Sequence, residues 1–123
     1  MTKILVVEDS ESDRDMLSRR LTRAGYEVVC AIDGPQGVRF VGEHRPDLVL
    51  MDLVLGEMDG IEATKLIKSD PAIGGTPVIA LTTHAASSVR GRIVEAGCGD
   101  LDTKPVDLPR LLGKIRRQLD PAA

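Results

Sequence analysis

The 123 residues carry 16 Lys and Arg against 19 Asp and Glu, a formal charge of −3, so the chain has no general attraction for nucleic acid and no direct nucleic-acid partner is expected. No stretch approaches the roughly 20 apolar residues of a membrane span, and the N-terminus lacks the basic, apolar and small-residue order of a secretory signal. Membrane insertion is therefore not expected, the cytoplasm is the expected location, and residues 1–123 are expected to form one domain with 121–123 as a loose tail.

The first element in chain order is a strand at 3–8, KILVVE, which is short, apolar and rich in β-branched side chains. Ser10 then offers a helix N-cap with Asp13 three residues on. Leu17, Leu21 and Ala24 recur at helical spacing from Glu11 to Gly25, where glycine supplies the stop. YEVVCAI at 26–32 predicts the second strand. Asp33, Gly34 and Pro35 open a helix to about His44, with Val38 and Val41 on its apolar side. DLVLMD at 47–52 is a third strand, apolar and again ending on an acid. Asp59 and Gly60 start a helix to about Ser69, PVIALT at 77–82 gives a fourth strand, and a helix from about Ala86 to Ala96 is ended by Gly97. DLDTK at 100–104 is a short fifth strand. Asp107 caps a last helix whose Leu108, Leu111, Leu112, Ile115 and Leu119 trace one stripe.

Strict alternation of short strands and amphipathic helices implies right-handed crossovers and an α/β, doubly wound parallel sheet covered on both faces. Cys30 and Cys98 lie far apart in apolar contexts without metal-ligand spacing, and are expected to be buried free thiols. Arg110, Lys114, Arg116 and Arg117 are expected to form a solvated face of the last helix.

In an open parallel sheet, ligands bind beyond the carboxyl ends of the strands, so the residues that end each strand matter most. Here they are Glu8 and Asp9, Asp52, Thr82 and Lys104. Neighbouring carboxylates each raise the cost of ionising the other, and a hard divalent cation such as Mg²⁺ relieves that by taking oxygen ligands. A carboxylate at Asp52 can act as a nucleophile towards phosphorus, with Lys104 neutralising charge and Thr82 hydrogen-bonding a phosphoryl oxygen. Each residue alone has an ordinary explanation. Glu8 and Asp9 favour the next helix through its macrodipole, roughly 0.3 to 1 kcal/mol each, Thr82 is a β-former, Asp52 is a loop-entry acid, and Lys104 is a surface charge. Their occurrence on successive strand ends would need four separate coincidences.

The segments VVEDS, DLVLMDL, GEMDG, PVIALTTHA and TKP, in this order, resemble the receiver domain of two-component response regulators over essentially the whole chain. The resemblance implies a flavodoxin-like five-stranded sheet of order 2-1-3-4-5 flanked by five helices, in a single-domain regulator that works by contact. It implies phosphoryl transfer from a histidine kinase or a histidine phosphotransfer protein onto Asp52, followed by a changed binding surface for a downstream protein of unspecified identity. Mg²⁺ (or Mn²⁺) would be held by Asp9, Asp52 and the backbone carbonyl of Val54, with Glu8 supporting it through water. A cis bond before Pro105 is implied as well. No dedicated small-molecule turnover is implied, only self-catalysed phosphorylation and autodephosphorylation. The donor would dock near Ser10, Asp13 and Arg14.

Two positions depart from the family pattern. Receivers commonly carry Tyr or Phe three residues before the lysine, and that ring swings with the hydroxyl that Thr82 matches; here the position is Leu101, so the Thr82–Leu101 switch is expected to act mainly through Thr82 and the loop after it. Gly56 stands where proline is usual, and His84 is given a modulating role only. Two rival readings fit less well. A haloacid-dehalogenase-type phosphatase, which also forms an aspartyl phosphate, needs a second acid where Val54 stands. A flavodoxin-like cofactor carrier would want phosphate-cradling amides where Glu8 and Asp9 stand.

Overall fold

The computed structural model describes residues 1–54, 58–83 and 87–120, and of Ser87 and Ser88 the backbone alone. Ten elements alternate along the chain: β1 (Lys3–Val7), α1 (Glu11–Arg23), β2 (Glu27–Ala31), α2 (Gly34–His44), β3 (Leu48–Asp52), α3 (Gly60–Ser69), β4 (Val78–Thr82), α4 (Ser87–Ala96), β5 (Asp100–Thr103) and α5 (Leu108–Leu119). The strands form one parallel sheet in the order β2-β1-β3-β4-β5. Every element expected from the sequence is present, with ends that differ by a residue or two. Lys104 lies just past β5, and Glu8 just past β1, although its N–H still bonds to the Ala31 carbonyl at 3.0 Å.

Helix starts follow from local chemistry. Ser10, Asp33, Asp59 and Asp107 each have extended backbone and a side-chain oxygen that accepts from the backbone N–H three residues on. Each such cap contributes about 1 kcal/mol. α1 and α4 are followed by Gly25 and Gly97 at φ 100° and 104°, the region that favours glycine.

Strand alternation divides the core in two. Ile4, Val6, Leu48, Leu50, Ile79 and Leu81 face α1 and α5, where they meet Leu17, Leu21, Leu111 and Ile115. Leu5, Val7, Val49, Met51, Val78 and Ala80 face the other way, against residues of α2, α3 and α4 that include Val41, Ile67 and Ile93. Burial on both faces is why the central strands read as unbroken apolar runs. Burying one such leucine or isoleucine contributes about 1.5 to 3 kcal/mol. β2 is an edge strand, so Cys30 is half-buried rather than buried as expected, whereas Cys98 is buried; both thiols are free. Burial pushes both above their ordinary pKa, which leaves them poor nucleophiles. Among the described residues, no helix is long and apolar enough to cross a membrane.

The start of α3 lies close against the end of β3. A Cβ on Gly60 would collide with the Asp52 carbonyl oxygen and come within 2.9 Å of Leu53 Cα, and the Gly60 N–H bonds to the Leu53 carbonyl at 3.1 Å. Gly60→Ala is therefore expected to cost about 1 to 3 kcal/mol in urea unfolding. A loss within the roughly 0.5 kcal/mol scatter of ordinary surface substitutions would contradict this close approach.

Candidate functional site

β1 and β3 are neighbours, and Val7 pairs with Met51, which brings Glu8 level with Asp52. Strand alternation then turns both acids to the same side. Ile4 and Val6 lead to Glu8, Leu48 and Leu50 lead to Asp52, and all four apolar residues belong to the cluster under α1 and α5. Asp9 follows, exposed at the rim. Carboxylate oxygens of Glu8, Asp9 and Asp52 lie within 4.8 Å of one another. Glu8 and Asp52 are only 1% and 5% exposed, so water does little to screen their repulsion.

Lys104 supplies the compensating charge. Its ammonium lies 2.6 Å from Glu8 Oε1, 3.5 Å from Asp52 Oδ1 and 3.6 Å from Asp13 Oδ2. The Lys104 N–H donates to the Thr82 carbonyl at 2.9 Å, which ties its backbone to the end of β4. The Lys104–Pro105 peptide bond is cis. The Val54 N–H donates to the same Asp52 oxygen, Oδ1, at 3.3 Å. A cleft of about 310 Å³ opens over the cluster, walled by Glu8, Asp9, Asp13, Asp52, Thr83 and Lys104 among others. A larger hollow of about 730 Å³ lies beside α1, but none of its lining residues is buried, and the acidic cluster is elsewhere.

Burial pushes the Glu8 carboxyl up to about 8; contact with the Asp52 carboxyl adds to the rise, and Lys104 opposes it. Glu8 Oε2 is buried without a hydrogen-bond partner among the described residues. Two ionised carboxylates cannot hydrogen-bond each other, so the contact with Asp52 becomes a bond only when one of them holds a proton. Burial also disfavours the Lys104 ammonium, but the hydrogen bond to Glu8 and the charges of Asp52, Glu8 and Asp13 leave its pKa above the ordinary value. An orphaned carboxylate oxygen beside two more carboxylates, all hard oxygen donors, fits a divalent cation of the Mg²⁺ type.

The structure thus gathers Glu8, Asp9, Asp52 and Lys104 around one cleft, with the Val54 backbone at its edge. Thr82 ends β4 at 4% exposure, level with Thr103, and it is Thr83, one residue later, that lines the cleft. Leu101 is buried opposite Ala80 on the α4 side of the sheet. His84 and Gly56 lie outside the described residues.

Two features escaped sequence reasoning. Arg14 donates to the carbonyl oxygens of Glu8 and Asp9. Arg110 and Lys114 are not simply a solvated face: Arg110 Nε donates to Asp102 Oδ1 at 2.8 Å, and Lys114 Nζ donates to the Leu101 carbonyl. Asp102 is 3% exposed, and a buried acid needs such a partner. The signal was an acid in mid-strand, two residues from another, with arginine eight residues on.

Comparison with known proteins gives a consistent result. Residues 4–116 match the response regulator receiver domain. The polar-differentiation response regulator DivK of Brucella ovis is 36% identical over 123 residues, covering 99% of this chain and 100% of that one. The chemotaxis protein CheY4 of Vibrio cholerae superposes with a TM-score of 0.92 at 32% identity, covering 97% of this chain and 99% of that one. The receiver domain of the sensor histidine kinase PA1611 of Pseudomonas aeruginosa PAO1, described with a magnesium ion coordinated in its active site cleft, gives 0.89 at 33% identity, covering 96% and 97%.

The raised Glu8 pKa has a consequence for stability. A carboxyl whose folded pKa lies above its ordinary value binds a proton more tightly when folded, so its contribution is full below the ordinary value and is lost as pH rises through the folded one. In chelator, the stability of the chain is expected to fall between about pH 4.5 and about pH 8, and Glu8→Gln is expected to flatten that slope. Urea midpoints across this range check it; a wild-type profile that is flat or rising would contradict the assignment.

Proposed function

The chain belongs to the family of response regulator receiver domains, and from that premise we propose that it accepts a phosphoryl group on Asp52 from the phosphohistidine of a histidine kinase or histidine phosphotransfer protein in the cytoplasm. The observation that carries this reading is the lysine ammonium 3.5 Å from Asp52 Oδ1, inside a cluster of three carboxylates at the mouth of a cleft. An Asp52 oxygen forms the new bond to phosphorus while the bond from phosphorus to the donor's imidazole nitrogen breaks. The electron pair of that broken bond stays on the imidazole. Lys104 is within reach of the charge that gathers on the phosphoryl oxygens, and the Val54 N–H already donates to the Asp52 carboxylate and fixes its orientation. Asp9, Asp52 and the Val54 carbonyl, with Glu8 through water, would hold a divalent cation, Mg²⁺ or Mn²⁺, which would supply further positive charge to the transferring group. The magnesium ion of the related Pseudomonas receiver supports this choice.

Phosphorylated Asp52 places new charge and three acceptor oxygens beside the end of β4. Thr82 is the hydroxyl proposed to respond, drawing the loop after it, including His84, while Leu101 stays in the core. The phosphorylated surface would then be read by a downstream protein. The protein acts as a signalling switch of its family rather than as a dedicated enzyme. The phosphatase alternative gains no support, because the side chain two residues beyond Asp52 is the exposed valine Val54.

Acetyl phosphate with Mg²⁺ is expected to place one phosphoryl group on Asp52, found by mapping the modified peptide. Asp52→Asn should remove the label, and excess EDTA should stop the reaction, because the donor's anionic group would otherwise approach uncompensated carboxylates. Labelling that survives Asp52→Asn unchanged would place the acceptor elsewhere.

A further inference from the structure

We propose that Arg14 is a positioning residue for the acidic cluster: it holds the Glu8–Asp9 loop by its main chain and leaves the carboxylates free for a cation. This rests on the reading of Glu8, Asp9 and Asp52 as the oxygen set for Mg²⁺. Arg14 Nη1 donates to the Glu8 carbonyl at 2.9 Å and to the Asp9 carbonyl at 3.3 Å. The Arg14 N–H bonds to the Ser10 carbonyl at 2.9 Å, so the residue that grips the loop is itself fixed to the start of α1. The start of the loop is also tied by the Glu8 N–H, which donates to the Ala31 carbonyl at 3.0 Å. Of the two Glu8 peptide units, one is therefore held by β2 and the other by a guanidinium.

What Arg14 leaves unbonded matters equally. Acids stand before and after it in sequence at Glu8, Asp9, Asp13 and Asp15, yet among the described residues Arg14 makes no ion pair. A guanidinium on those carboxylates would compete with a divalent cation for the same oxygens. One that bonds the carbonyls instead orders the loop by charge-assisted hydrogen bonds and leaves the side chains available. Lys104 and Arg14 thus divide two tasks, the first neutralising the carboxylates and the second aiming them. Arg14 also borders the expected donor-docking surface, which gives the test its rival outcome.

Calorimetric titration of Mg²⁺ into wild type, Arg14→Met and Arg14→Lys, with urea midpoints in EDTA, separates the possibilities. Arg14→Met is expected to bind Mg²⁺ about tenfold more weakly, at the lower end of what partners behind the ligands contribute. Arg14→Lys should fall between, because a single ammonium lacks the planar fork. The amide NMR shifts of Glu8, Asp9 and Ser10 should move in both variants. Unchanged Mg²⁺ affinity in Arg14→Met would overturn the proposal, and slower transfer from a phosphohistidine donor in that same variant would make Arg14 a docking residue. Equal losses in Met and Lys that track a lowered urea midpoint would overturn it too, leaving a merely structural role. A wild-type chain that binds no Mg²⁺ would overturn the proposed function along with it.

Discussion

Three carboxylates converge on one edge of the sheet, and two of them are buried, so their mutual repulsion is the constraint that the surrounding structure has to meet. Like charges about 4 Å apart repel by about 4 kcal/mol where water is partly excluded. The adjacency of β1 and β3 creates the problem by bringing Glu8 level with Asp52. The far end of the same sheet meets it, because Lys104 leaves β5 and reaches back across the end of β4 to both acids. β3 and β5 are two strand spacings apart, roughly 10 Å, which is why a long, flexible cation is needed there. A charge pair of this kind between residues 96 positions apart forms only once the whole sheet is assembled.

The pair is incomplete, which leaves part of the acidic cluster unsatisfied by protein groups among the described residues. Lys104 engages one oxygen of Glu8 closely, while the other is left buried without a donor and the Glu8 pKa is raised. A site fully neutralised by protein groups would have nothing left for a cation or a phosphoryl group to satisfy. Asp102, the third buried acid among the described residues, makes a partial contrast, because its Oδ2 is likewise buried without a hydrogen-bond partner. Arg110, the N–H of Thr103 and, more distantly, Lys114 approach its Oδ1, and among the described residues it belongs to no cluster of three acids. Asp102 and Arg110 tie β5 to α5, whereas Glu8 and Lys104 join the two halves of the cleft.

Much of this was legible in the sequence because it depends on strand ends. Asp52 and Lys104 could be found by asking which residues close apolar runs, and the caps at Ser10, Asp59 and Asp107 stand at the expected places. The strand order came from resemblance, since alternating elements fix a parallel sheet without fixing which strands are neighbours. Cys30 illustrates the cost: only the order shows that β2 is an edge and its thiol half-covered. The sequence places Arg14 at a docking surface, but its partners are carbonyl oxygens, which every residue has and no sequence pattern marks. As part of a basic group on the last helix, Arg110 and Lys114 are expected to be solvated, while the acids that hold them come from β5.

If Lys104 and a divalent cation compensate the same carboxylates, each should weaken the other's hold. The Mg²⁺ affinity of Lys104→Met measured against wild type at one pH tests that most directly. Tighter Mg²⁺ binding by the variant is expected, because the ammonium no longer occupies Glu8 and Asp52. Equal or weaker binding would contradict the view that the lysine and the cation answer one shared repulsion.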